Sequence, residues 1–174
     1  MNRIVLAAGW AAGTAALLAS APALAVDPTS TTDQFQVNLR VYHECTIDTN
    51  TLDFGATGLT NTDLDTSATI TVDCTERSPY SIALDGGANS GGSTSARKLK
   101  NTDGDTISYQ LYSDAGTASP WGDNIGTDTV DGTAAQASTS YTVHAHIPHF
   151  HNKPAGSYSD TVTATIWYGG AEAQ

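Results

Sequence analysis

The sequence predicts an all-β fold, an antiparallel sandwich or barrel. Its 174 residues include 26 Thr, a β-branched residue that favours strands, and only one Met. Several short segments alternate apolar and polar residues with a period of two, and turn residues separate them. No segment has the sustained i, i+3, i+4, i+7 apolar spacing of a helix longer than one turn. Short strands in this arrangement are typical of sandwiches and barrels.

The charge balance excludes one class of partner. The chain carries 18 acidic and 7 basic residues, for a net charge of −11. Binding to nucleic acid requires clustered lysine and arginine that neutralise phosphates, so we expect no nucleic acid partner. The length fits one compact domain.

The first 25 residues have the three parts of a secretory signal peptide. Arg3 supplies a positive charge, residues 4–18 are apolar apart from Gly and Thr, and Ala23-Leu24-Ala25 forms the cleavage pattern. Ser20 and Pro22 interrupt the apolar run before the roughly 20 residues that span a bilayer. We therefore predict cleavage after Ala25 and an exported protein with no membrane span in the mature chain.

Two cysteines, Cys45 and Cys74, lie in the predicted mature chain. In an oxidising compartment the simplest arrangement is a disulfide between them, and two buried free thiols are the alternative. Neither cysteine has a CxxC partner, which argues against a metal site.

The first half of the mature chain is predicted to form four strands. Residues 26–33 are polar and flexible. The apolar positions of the first strand are Phe35, Val37, Leu39 and Val41, and those of the second, within Thr51–Gly55, are Leu52 and Phe54. The third strand has Ala68, Ile70, Val72 and Cys74 on its apolar face, and the fourth has Tyr80, Ile82 and Leu84. Residues 86–95 are a Gly/Ser loop.

The second half is predicted to add three strands. Asp103-Gly104 is a hairpin turn signal. Residues 113–138 are predicted to form a long polar connection in which only Trp121 and Ile125 pack against the rest of the domain. The inward positions of the three strands are Ile107, Tyr109 and Leu111, then Tyr141, Val143, Ala145 and Ile147, and finally Val162, Ala164, Ile166 and Tyr168.

The sequence lacks the motifs of the common enzyme classes. It contains no GxSxG, GxxxxGK[ST], HExxH or helix-opening GxGxxG, and no carboxylates are recognisably paired for acid–base catalysis. We therefore expect a non-enzymatic protein with no catalytic residues and no cofactor.

One cluster of histidines is a candidate metal site, formed by His144, His146, His149 and His151. On a strand, His144 and His146 point to the same face about 7 Å apart, near enough to share a metal. The cluster has no carboxylate nearby in the sequence, and His149 and His151 follow Pro148 in a predicted loop. A solvated strand face is the favoured interpretation, and we expect no tight metal site.

Most aromatic residues fall on the inward phase of their strands, which predicts packing in the core rather than sugar stacking. Trp167 is out of phase with its inward neighbours. It is the best candidate for an interface contact.

Several strings, read in order, carry a resemblance to a known family. They are FQVNLRVYHECTI at 35–47, LDFG at 52–55, TITVDCT at 69–75, PYSIALDGG at 79–87, YQLYSD at 109–114 with WGD at 121–123, and PAGSYSDTVTATIWY at 154–168. Together they resemble the spore coat protein U domain family, which includes subunits of archaic chaperone–usher pili. The His-rich stretch at 144–151 is not part of that pattern.

The resemblance implies an incomplete immunoglobulin-like sandwich that lacks its last strand. A periplasmic chaperone would fill the gap first, and the N-terminal strand of the next subunit would then replace it. Phe35, Val37, Leu39 and Val41 follow a flexible leader at the spacing that a donor strand needs. The same residues also suit the domain's own first strand, and that alternative stays open.

These observations divide the chain into a signal peptide at 1–25, an N-terminal extension with the candidate donor strand at 26–41, and a spore coat protein U-like domain at 42–174. The expected function is that of a secreted structural subunit of a surface pilus, with a role in adhesion or biofilm formation. The expected partners are identical or homologous subunits, a periplasmic chaperone and an outer-membrane usher. Three alternatives are a carbohydrate-binding adhesin module, a periplasmic metal-binding protein that uses the histidines, and a coat protein that assembles without a chaperone.

Overall fold

The computed structural model describes residues 29–58, 62–135 and 137–169, so the predicted signal peptide lies outside the described residues. The described residues form nine β-strands and no helix, and therefore no helix able to cross a membrane. The strands are β1 Cys45–Thr49, β2 Leu64–Cys74, β3 Pro79–Leu84, β4 Lys98–Lys100, β5 Thr106–Ser108, β6 Gln110–Tyr112, β7 Val130–Thr133, β8 Thr139–Ile147 and β9 Ala164–Tyr168.

Two antiparallel sheets and a small hairpin make up the fold. The first sheet has the order β1-β2-β8-β6, the second has the order β7-β3-β9, and β4 pairs with β5. Every pairing is antiparallel. The predicted all-β antiparallel architecture is confirmed. In this order, β1 and β9 are edge strands of different sheets.

The core lies between the sheets and follows the predicted alternation. Inward side chains of β2, β3 and β8 are buried, and polar residues of the same strands face outward. Trp121 is 1% exposed and fixes the loop that carries it, because its indole N–H donates to the carbonyl of Ile82 at 2.8 Å. The fully inward side chains are Ile70, Val72, Tyr80, Ile82, Leu84, Val143, Ala145 and Ile147.

The disulfide prediction is confirmed. Cys45 and Cys74 are bonded, and they lie directly opposite each other in the register of β1 and β2 with Cα atoms 4.0 Å apart. The bridge therefore ties the first strand of the domain to its longest strand.

Two predicted strands are not formed. Residues 29–44 contain no strand, although 35–41 alternates perfectly, because no other described strand pairs with it. The prediction at Thr51–Gly55 is also wrong, since this segment stays extended beside β2 without ladder pairing. Its alternation is still visible, because Leu52 and Phe54 are half-buried and their neighbours are exposed. Gly55 ends the segment in a left-handed turn with φ of 72°.

The long connection at 113–138 is less irregular than predicted. It contains β7, which pairs with β3. Ile125 is 53% exposed, so its predicted packing is wrong. It lies at the tip of a turn that Asp128 closes, since the Asp128 carboxylate accepts from the N–H of Asn124 at 2.7 Å.

The predicted strand at 107–111 is two strands. The chain leaves the ladder at Tyr109, where β5 ends its pairing with β4 and β6 begins its pairing with β8. Ile107, Tyr109 and Leu111 are nevertheless all buried, as the alternation predicts.

Candidate functional site

An elongated groove opens between the two sheets beside their edge strands. Its volume is about 1120 Å³, somewhat larger than an ordinary small-molecule pocket. The segment 49–58 that follows β1 forms one wall, and the segment 153–164 that leads into β9 forms the other. The floor is the apolar core itself, including Ile70, Leu84, Ile107, Leu111, Val143 and Ile147.

The wall residues leave apolar surface incompletely covered. Leu52, Phe54, Phe150 and Val162 pack against the core but remain half-buried. A complete sandwich would cover this row with another strand. The groove is therefore a place where the core lacks a cover.

The backbone along 159–163 is bonded on one side. Backbone N–H and C=O groups of the odd-numbered residues in this segment form hydrogen bonds with residues 85, 88 and 100 of the domain. The bonds run from Asp85 N to Thr163 O (3.1 Å), from Thr163 N to Asp85 Oδ1 (2.9 Å), from Ala88 N to Thr161 O (3.1 Å), from Lys100 N to Ser159 O (2.9 Å) and from Ser159 N to Lys100 O (3.1 Å).

In an antiparallel arrangement, successive residues direct their N–H and C=O groups to opposite sides. The backbone groups of Val162, Ala164 and Ile166 therefore point to the edge of β9 that faces away from β3. An edge of this kind is a template for pairing with another strand.

Hydrogen bonds at Asp85 help to fix this wall. Burial alone would raise the pKa of Asp85, but the donating N–H groups of Thr163 and Gly87 outweigh it and hold that pKa below its ordinary value. The carboxylate therefore stays charged and keeps the wall tied to the end of β3.

Asp160 and Tyr109 make a second tie across the groove. The Tyr109 hydroxyl donates to Asp160 Oδ2 at 2.8 Å, and both the backbone and side-chain nitrogens of Asn89 donate to Asp160 Oδ1. Burial, followed by the bond to Asp160, raises the pKa of Tyr109, so this phenol remains protonated and a donor. These bonds fix the position of the Asp160 carboxylate on the groove wall.

Arg97 supports the same region from below. Its side chain is 1% exposed. The guanidinium donates to the carbonyls of Leu84, Asp85 and Trp121 at 2.7–2.9 Å. This one side chain therefore joins the end of β3 to the loop after β6.

The four predicted donor residues have exposed side chains. Phe35 is 87% exposed, Val37 83%, Leu39 89% and Val41 70%. A row of four exposed apolar side chains in a strand-like alternation is costly in water, and such surface normally marks an interaction site. The domain thus has both an uncovered groove and a spare apolar segment.

Comparison with known proteins identifies the family of this chain. The family model of the Spore Coat Protein U domain matches residues 31–165. The chain belongs to this family. A relative, Protein U of Myxococcus xanthus, is 31% identical over 183 positions that cover 97% of this chain and 100% of the relative.

The fold of this spore coat protein U domain also resembles a solved structure. The structure is the crystal structure of the CsuC–CsuE chaperone–tip adhesion subunit pre-assembly complex from archaic chaperone–usher Csu pili of Acinetobacter baumannii. The TM-score is 0.53 at 20% identity, and the match covers 72% of this chain. It spans only 40% of the solved chain, so the likeness concerns one part of that protein.

The histidine cluster of this domain lies at the groove's rim, where β2 begins and β8 ends. No carboxylate lies near the cluster in the sequence, but the fold brings two carboxylates to it. Asp65 pairs with His146 across the strands, with 2.8 Å between Asp65 Oδ1 and His146 Nδ1. The backbone N–H of His149 donates to Asp63 at 2.7 Å, and this bond is the largest of those that lower the pKa of Asp63. His144 lies two positions before His146 on the same outer face, and the rings of His149 and His151 meet edge to face at 5.8 Å.

These contacts form a chain rather than converging on one point, since the Asp63 carboxylate lies 3.2 Å from His149 Nδ1 and 3.8 Å from His146 Nε2. In the part of the chain that the structure describes, no group of three or more His, Cys, Asp or Glu side chains is placed to hold a metal ion. The cluster instead fastens the loop that carries Phe150 to the start of β2.

Sequence reasoning missed Asp63, Asp65, Asp160 and Arg97. Asp65 and His146 are 81 residues apart, so their contact depends on the register of β2 with β8. Trp167, predicted as an interface residue, is 56% exposed on the outer face of β9, opposite Ser81.

Proposed function

We propose that this spore coat protein U domain is a structural subunit of an exported surface fibre. Each copy donates residues 35–41 to the groove of the next copy and receives the same segment from its other neighbour. A periplasmic chaperone covers the groove before assembly, and an outer-membrane usher assembles the subunits into the fibre. The role is mechanical and adhesive rather than enzymatic.

One observation carries this proposal, namely the pairing of an uncovered groove with an exposed apolar segment in the same chain. The segment offers alternate apolar side chains, which is what a strand laid over an apolar floor requires. Burying four such side chains would contribute about 8 kcal/mol of apolar transfer free energy before entropy costs. New main-chain hydrogen bonds along the edge of β9 would add to it.

The family and the fold likeness support the same function. The solved relative is itself a subunit held in a chaperone complex from a chaperone–usher pilus. The groove of this chain lies beside the edge strand β9, whose outward-facing backbone groups can pair with a strand from a partner.

A deletion tests the proposal. A mature chain without residues 31–41 should form no fibres by negative-stain electron microscopy, yet it should bind a synthetic peptide of residues 31–43 in a 1:1 complex. The matched control peptide carries Val37→Asp and Leu39→Asp and should bind at least tenfold more weakly, because two charges would enter an apolar groove. Normal fibres from the deletion variant would contradict the proposal.

A second candidate function is a coat protein that assembles without a chaperone. The similarity to Protein U of Myxococcus xanthus along the whole of that relative favours it. The two functions differ in their dependence on a periplasmic chaperone. A fibre subunit without its chaperone should be degraded or aggregated in the periplasm, whereas a self-assembling coat protein should accumulate in folded form.

A further inference from the structure

Asp160 interrupts the apolar row on the groove wall. The inward positions of this wall are the even-numbered ones, and Tyr158, Val162, Ala164 and Ile166 all pack against the core. Asp160 occupies one of these even-numbered inward positions, and its carboxylate accepts hydrogen bonds from Tyr109 and Asn89. One charged group therefore separates Tyr158 from the apolar positions that follow.

The carboxylate of Asp160 is not fully satisfied by the protein. It offers about four acceptor positions. Two bonds from Asn89 at 2.9 and 3.2 Å and one from Tyr109 at 2.8 Å occupy three of them. Since Asp160 lines the open groove, water can reach the remaining position. An apolar side chain laid opposite would remove that water and leave the acceptor unpaired, which is unfavourable.

We propose that Asp160 sets the register of the donated strand, so that Val41, Leu39, Val37 and Phe35 of one copy lie opposite residues 162, 164, 166 and 168 of the next. This inference rests on the proposed donor role of residues 35–41. Four consecutive inward positions that avoid Asp160 must lie on its β9 side, because the other side has a single apolar position, Tyr158, before Gly156. Among the described residues, the inward positions on the β9 side are 162, 164, 166 and 168. A slip of two residues toward 158 places Val41 against the carboxylate.

The same residue selects the direction of the donor. A strand parallel to β9 that kept Phe35 opposite residue 162 would place Asp33 opposite Asp160. Like charges directly opposite each other are destabilising. The antiparallel direction avoids this contact and places Phe35 against Tyr168.

The state of Tyr168 supports this register. Tyr168 shares the inward phase of Ala164 and Ile166 but is 43% exposed. A donor that reached only residues 158–164 would leave this ring uncovered. Because β1 also lies against β9, insertion along 166–168 must move these two edge strands apart.

Disulfide trapping between full-length chains tests the register. The outward residues of β9 direct their backbone groups toward β3, so each would form a close non-hydrogen-bonded pair with the donor, with Cα atoms about 4.5 Å apart. That spacing is within disulfide range, and this protein already bridges a directly opposite pair at 4.0 Å. In the proposed register Gln36 faces Trp167. If the donor strand slips by two residues toward residue 158, Gln36 faces Thr165. If the donor strand runs parallel to β9, Gln36 faces Thr163.

Three chains carry Gln36→Cys together with Trp167→Cys, Thr165→Cys or Thr163→Cys, and each is assembled and run on a non-reducing gel. Gln36→Cys alone is the control for donor-to-donor bridging. We expect a ladder of chain multiples for the first pair, with about tenfold more crosslinked product than for either other pair. Adding Asp160→Leu should bring the yield of the Gln36/Thr165 pair close to that of the Gln36/Trp167 pair, whereas Asp160→Asn should keep the preference.

Stronger trapping at Thr165 or Thr163 in the chain with native Asp160 would overturn the register, and so would fibres without a ladder from any pair. An unchanged preference in a folded Asp160→Leu variant would show that Asp160 does not set it. These outcomes differ from failure of the proposed function, in which fibres form even when residues 31–41 are deleted.

Discussion

Single polar residues hold the groove in its shape. Arg97, Asp85 and Asp160 each satisfy backbone or side-chain groups that belong to different segments around the groove. Because these groups lie in or near an apolar core, removing one of them leaves its partners unpaired. The free energy lost in this way exceeds the net stabilisation that the hydrogen bond itself contributes.

Arg97 gives the strongest prediction at this scale. Arg97→Met should lower the free energy of unfolding by about 3–5 kcal/mol, since the carbonyls of Leu84, Asp85 and Trp121 would lose their donor. Chemical denaturation measures this directly. The matched control is Arg77→Met, because the Arg77 side chain is 89% exposed and its ion pair with Glu76 spans 3.8 Å. The control should change stability by less than about 1 kcal/mol. Equal effects of the two substitutions would contradict the structural role of Arg97.

Asp85 predicts how stability depends on pH. Its pKa is lower in the folded protein than the ordinary value of 3.8, so its ionised form stabilises the fold. That stability is fully present above the ordinary value and is lost as the pH falls through the lower folded-state pKa. Asp85→Asn should therefore be less stable at neutral pH and lose less further stability than the wild type between about pH 5 and pH 3. If the free energy of unfolding fell by the same amount in the two proteins over this pH range, the role of Asp85 would be contradicted.

At the scale of strands, alternation identified the elements with strong apolar faces. β2, β3, β8 and β9 were predictable because each places several large apolar residues on one face. β7 was not, since Val130-Asp131-Gly132-Thr133 contains a single large apolar residue. It forms because β3 offers it an edge, which is a long-range property.

The segment 35–41 shows the opposite case. Its alternation is as clear as that of β2, yet it forms no strand among the described residues. A period-two pattern reports that one face of an extended segment needs a cover, and it does not say which chain provides the cover. The histidine cluster has the same limit, because Asp63 and Asp65 reach it only through the pairing of β2 with β8.

Gly132 tests the packing of β7. A Cβ at this position would lie 2.5 Å from the Tyr141 hydroxyl and 2.6 Å from the Tyr80 ring. The hydroxyls of Tyr80 and Tyr141 are hydrogen-bonded to each other at 2.8 Å. Gly132→Ala should therefore destabilise the domain by about 1–3 kcal/mol. Gly156→Ala is the control, since its nearest contact would be 3.9 Å away. Thermal unfolding of both variants decides the point, and a neutral Gly132→Ala would mean that β7 packs more loosely than the structure indicates.

At the scale of the whole molecule, the domain is an antiparallel two-sheet fold with an uncovered groove. The first sheet ends at β1 and the second at β9, and the groove between the segment after β1 and the segment before β9 exposes the core. The apolar side chains of the segment at 35–41 are also exposed. In the proposed assembly each copy completes the next one, which is the arrangement that makes an open-ended, head-to-tail fibre.

The most direct test of this account compares a charge on either face of the donor segment. Val37→Asp places a carboxylate on the face that enters the groove, and Asn38→Asp places the same carboxylate on the opposite face one residue away. Fibre length and yield are measured by electron microscopy and sedimentation for both full-length variants. The account predicts that Val37→Asp reduces fibre yield by at least about tenfold, while Asn38→Asp assembles like the wild type. Equal assembly of the two variants would contradict donation of residues 35–41.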